Sequence, residues 1–78
     1  MQFADLQSLM ADVFEVPASE IKPNSTPDDI AAWDSGRLLE LLLSIEKQYG
    51  VFVSPDRLPE LMSVGAILAV VNGTEAAA

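Results

Sequence analysis

Residues 33 to 36 read Trp-Asp-Ser-Gly and lead directly into RLLELLLSIEKQYG, the longest apolar-rich stretch of the chain. A serine at such a doorway has two uses. It can help to start a helix, since Asp and Ser side chains accept hydrogen bonds from the unpaired N–H groups of a first turn. It can also be a point of attachment, because those N–H groups and the positive end of the helix dipole favour an anion beside them. By spacing, Asp34 is the N-cap and Ser35 the first helical residue, with Trp33 placed to pack on Leu38 as a hydrophobic staple.

The chain offers little with which to make that serine a nucleophile. It contains no histidine and no cysteine, which excludes Ser-His and Cys-His catalysis, thiolate metal sites and disulfides. No acid–base pair stands out, and no metal site is expected. A passive carrier suits such a chain better than an enzyme.

Twelve Asp and Glu against four Lys and Arg give a net charge of −8. Nucleic acid and anionic membrane surfaces would be repelled, so basic patches on partner proteins are the natural counterpart. Half of the residues are hydrophobic, enough to build a core despite the charge. With 78 residues there is room for one domain, expected over 1–73 and monomeric, with 74–78 as a frayed tail. The start lacks the pattern of a secretory signal, and no stretch approaches the roughly 18 apolar residues of a membrane span. A cytoplasmic protein without membrane insertion is expected.

The elements that must position the serine follow from periodicity. Phe3, Leu6, Leu9, Met10, Val13 and Phe14 share one side of a first helix, which Pro17 stops. Residues 15 to 34 then form a connection longer than compact domains usually tolerate, so it needs anchors, and Val16, Ile21, Ile30 and Trp33 are spaced to provide them. Thr26-Pro27-Asp28-Asp29 predicts one short helical turn within it. The second helix is expected from about Ser35 to Tyr49, ending at Gly50.

Leu38, Leu39, Leu41, Leu42, Leu43, Ile45 and Tyr49 spread over an arc of roughly 200° on that helix, wider than one buried face requires. Glu46 projects beside Leu39 and Leu43 and would not be buried unpaired, so this edge is expected to be a rim. Val51-Phe52-Val53 is expected to be an extended link that plugs the core. Ser54-Pro55-Asp56 starts a third helix, kept short by Pro59. A last helix begins near Ser63, with Val64, Ile67, Leu68 and Val71 on one face, and stops at Asn72-Gly73.

The run WDSGRLLELLLSIEKQYGV resembles the Asp-Ser-Leu segment of the acyl carrier protein family, in which a serine opening the second helix carries 4'-phosphopantetheine. FADLQSLMADVFEVPASEI is similar to that family's first helix and the start of its long loop, and SVGAILAVV to its last helix. The resemblance implies an all-α, small four-helix bundle with a long loop between helices 1 and 2 and a short helix 3. It also implies that Ser35 is the phosphopantetheine attachment residue, loaded from coenzyme A by a separate phosphopantetheinyl transferase. The arm's thiol would hold an acyl or aminoacyl group as a thioester, which fits a chain without cysteine.

By the same resemblance, acyl cargo enters between helices two and three, at Leu42, Leu58, Leu61 and Ile67, residues that otherwise simply fill the core. Partners would meet Asp34, Gly36, Arg37, Leu39, Glu40, Leu43 and Glu46. They include the transferase, an acyl- or aminoacyl-loading ligase, and downstream transferases and synthases. Two positions depart from the family pattern. Gly36 replaces the usual apolar residue after the serine, and Arg37 brings a positive charge to a helix that tends to be acidic. Recognition is expected to change there. The alternative is a chain that keeps the fold but stays unmodified, docking on enzymes through the acidic second helix. Fatty acyl, polyketide and aminoacyl cargoes are equally compatible with these residues.

Overall fold

The computed structural model describes residues 1–73, so the expected tail at 74–78 lies outside the described residues. Three α-helices, α1 (Phe3–Phe14), α2 (Ser35–Tyr49) and α3 (Val64–Asn72), are joined by two 3₁₀ helices, Ala18–Glu20 and Pro55–Glu60. No strand occurs among the described residues. The all-α carrier-type bundle expected from the sequence is therefore the fold. The short third helix is the 3₁₀ segment Pro55–Glu60, whose 3₁₀ form keeps Pro59 inside a helical stretch. Backbone bonds close it on either side of that proline, from Arg57 N–H to Ser54 C=O and from Leu61 N–H to Leu58 C=O, both 3.0 Å.

Leu6, Met10 and Phe14 of α1 meet Leu41 and Ile45 of α2 and Val64 and Ile67 of α3 in one core. On α2 the buried residues are Leu38, Leu41, Leu42 and Ile45, an arc of roughly 100°, which is what one packed face requires. The remainder of the apolar arc is left outside. Leu39 and Leu43 are 38% and 58% exposed, and Glu46 is exposed beside them.

The loop between α1 and α2 is held by hydrogen bonds at both of its faces. The Gln7 side-chain amide of α1 donates to the carbonyls of Ala18 (2.8 Å) and Ile21 (2.9 Å). From the other side, the first N–H groups of α3 donate to the loop, Val64 to Ser25 C=O and Gly65 to Pro23 C=O, both 3.0 Å. Ile21, Ile30 and Trp33 are buried as expected, and Val16 packs partly buried against the core. Thr26 to Ile30 makes a single turn rather than a counted helix, closed by Ile30 N–H to Thr26 C=O at 3.2 Å. Asp29 Oδ2 accepts from Thr26 N–H at 3.0 Å in that turn.

The link after α2 departs from expectation at one residue. Val53 is buried and Val51 half-buried, but Phe52 is 69% exposed. An extended chain points successive side chains to opposite sides, so the two valines take the core and the aromatic between them cannot.

The start of α2 is tied to the end of α1 by Arg37. Its guanidinium donates to Val13 C=O at 2.6 Å and to Glu15 at 3.0 Å. Val13 is one of the last residues of α1, whose carbonyls have no helical partner. Glu15 ends that helix in the left-handed region, at φ 56°. Replacing Arg37 by Met should lower unfolding free energy by about 1–2 kcal/mol, chiefly through the charge-assisted bond to the helix end; the exposed pair with Glu15 adds little. An unchanged urea midpoint would show that the tie is ornamental. Gly36 contrasts with this. An added Cβ would meet only Asp34 Oδ1, at 3.4 Å, so Gly36→Ala should raise stability by up to about 1 kcal/mol in the same titration.

Candidate functional site

Ser35 is exposed at the first position of α2. Asp34 caps the helix as its spacing predicts, Oδ1 accepting from Arg37 N–H at 2.8 Å and its backbone carbonyl from Leu38 N–H at 2.9 Å. The carboxylate is thus turned onto the helix end. The remaining first-turn N–H groups face the neighbourhood of the serine with no side-chain cap, and the positive end of the helix dipole acts there.

A cleft of about 390 Å³ begins at Ser35. Its walls are Trp33, Asp34, Ser35 and Leu38 from the start of α2, Pro27 from the long loop, and Leu58, Pro59 and Met62 from the 3₁₀ helix and the link after it. Most of these side chains are apolar. The volume lies toward the small end of sites that hold organic ligands.

Trp33 is one of the residues that line this cleft. It is 6% exposed and packs on Phe14 with ring centroids 5.6 Å apart at 40°. Its indole Nε1 is buried without a hydrogen-bond partner, the one such side-chain atom found among the described residues. A buried donor left unpaired costs about 1–3 kcal/mol, and tryptophans normally find a partner. The sequence shows the tryptophan and its place before the cap, but not that its N–H is left unused.

The other candidate residues fall into three groups. Gly36, Leu39, Glu40, Leu43 and Glu46 lie on one exposed stripe of α2 that starts beside Ser35. Arg37 lies off that stripe, its guanidinium committed to α1. Of the four residues suggested as a cargo pocket, Leu42, Leu61 and Ile67 are in the core, while Leu58 lines the cleft. The cleft therefore opens between the start of α2, the loop and the 3₁₀ helix. Pro27 and Pro59 were read from sequence only as helix signals and Met62 was not singled out, because residues distant along the chain carry no shared periodicity that would place them in one cleft.

Comparison with known proteins covers all of these elements. A family profile described as "Phosphopantetheine attachment site" matches residues 4–71. Two proteins named "Acyl carrier protein", from Helicobacter pylori strains G27 and HPAG1, are each 25% identical to the chain over 76 residues, covering 96% of this chain and 96% of the relative. The family match runs from the first turn of α1 to the last turn of α3 and takes in the whole cleft. The chain therefore belongs to the phosphopantetheine-attachment family, as a carrier whose covalent prosthetic group is 4'-phosphopantetheine.

Proposed function

We propose that Ser35 is the attachment residue, and that the chain is a carrier presenting an acyl or aminoacyl thioester to partner enzymes in the cytoplasm. One observation carries this: an exposed serine at the N-terminus of α2 opens onto an apolar cleft of about 390 Å³. The residues fit the group. The helix end favours the phosphodiester, and the apolar walls suit the arm's methyl groups. When bound, the group supplies the thiol that holds the cargo, which a chain without cysteine lacks. Ser35 supplies the oxygen of the ester, and Asp34 holds the helix end in place beneath it.

The exposed stripe of Gly36, Leu39, Glu40, Leu43 and Glu46 is the surface proposed to meet partner enzymes. Its two carboxylates would steer basic residues of the transferase, the loading ligase and later synthases, with the two leucines as an apolar centre. The match to proteins named acyl carrier protein favours acyl over aminoacyl cargo.

Co-expression with a broad-specificity phosphopantetheinyl transferase should add the mass of one phosphopantetheine, and Ser35→Ala should abolish the addition. An adduct that survives Ser35→Ala would remove Ser35 from this role. A native sample wholly unmodified yet bound stoichiometrically to an enzyme would instead support an unmodified docking subunit, a role favoured by the bare Gly36 beside the serine. Charge reversal at Glu40 and Glu46 together should raise the transferase KM several-fold at low ionic strength, with the difference shrinking as salt is added. A salt-independent effect would mean that these carboxylates do not steer the encounter.

A further inference from the structure

Any enzyme that acts on Ser35 must cover the residues nearest it along α2, and those residues offer it almost no side chain. Trp33 before the serine is buried, and Asp34 Oδ1 is held on Arg37 N–H. After the serine, Gly36 has no side chain, the Arg37 guanidinium is drawn back to Val13 C=O and Glu15, and Leu38 is buried. The first apolar side chain within reach is Leu39, which is 38% exposed and four residues on, about 6 Å along the helix axis. The bare position has no cause inside the fold. Gly36 lies within α2 and is not one of the glycines at positive φ, so its backbone does not need glycine. An added Cβ would meet only Asp34 Oδ1, at 3.4 Å, so packing does not need it either. Glycine also weakens the helix that holds it. What it changes is the surface presented outward.

We infer that Gly36 is a specificity-determining residue: by withholding a side chain beside Ser35 it weakens capture by enzymes that grip a carrier next to its serine, and it favours partners whose contact begins at Leu39, Glu40 and Leu43. The discrimination works by removal. A leucine-sized side chain at 36 would stand one turn before Leu39 and Glu40 and extend the exposed apolar strip of Leu39 and Leu43 up to the serine. Without it the strip stops a turn short. Such a gap lowers affinity for an enzyme that has a pocket there and leaves one without such a pocket unaffected. Gly36 has no group that could join the transfer itself, so it governs capture and not the chemical step. This rests on Ser35 being the attachment residue.

The readout is loading from coenzyme A by a broad-specificity phosphopantetheinyl transferase, followed by intact mass in the unaltered protein, Gly36→Ala and Gly36→Leu, with the folding of each checked by urea titration. Gly36→Leu should lower KM roughly tenfold with kcat unchanged, which is what covering about half of one leucine side chain supplies. Gly36→Met, of similar size and unbranched at Cγ, should behave as the leucine variant does. Gly36→Ala adds little area and should lower KM less than about twofold, although it stiffens the helix at least as well. An unchanged or higher KM in the folded leucine and methionine variants overturns the inference. So does an equal gain in Gly36→Ala, which assigns the effect to helix stiffness and not to contact. A mass unchanged in every protein sinks the attachment role of Ser35 itself, whereas loading of all of them at one KM sinks only the role of Gly36, so the two failures are distinguishable.

Discussion

The loop that carries Trp33 and Asp34 to the start of α2 is held from the far end of the chain, by hydrogen bonds from Val64 and Gly65 of α3 to the carbonyls of Ser25 and Pro23. A helix N-terminus always has N–H groups in need of acceptors, and a long loop always has carbonyls in need of donors. Here each settles the other. Gly65 sits where a Cβ would come within 3.3 Å of Pro23 C=O, so the small residue permits the close approach. With the loop fixed from α3, and by Gln7 from α1, Ile21, Ile30 and Trp33 can remain in the core.

That fixation decides what surrounds Ser35. The cleft has one wall from α2 and the others from segments with little regular structure of their own, namely the loop at Pro27 and the 3₁₀ helix at Leu58 and Pro59. Such segments form a definite shape only when their ends are tied down. On α2 itself the division of labour is simple. One face fills the core, and a neighbouring apolar edge with its carboxylates stays in water, where a partner can reach it.

Much of this was legible in the sequence, for reasons that differ by element. The three α-helices follow from period and caps: Asp34 and Ser63 each accept from an N–H of the first turn, and Gly50 and Gly73 stand at positive φ. The exposed edge of α2 followed from an apolar arc too wide to bury. Less regular segments were harder to read. The span Val51–Val53 was expected to fill the core as a unit, whereas its alternation sends Phe52 outward. The cleft was not legible because its walls come from residues 27 to 62 with no common spacing. The position of Arg37 could be seen, but its reach back to α1 depends on the tertiary approach of two helix ends.

That reach has an electrical consequence. The carbonyl end of α1 is negative, Glu15 adds a carboxylate to it, and the chain as a whole carries −8. Left uncovered, this end would oppose the positive field at the start of α2. Arg37 donates to both Val13 C=O and Glu15, so the negative end of α1 is met by a positive charge from the first turn of α2. In a protein this acidic, a departure that first reads as a misplaced cation is a local neutralisation where two helix ends meet.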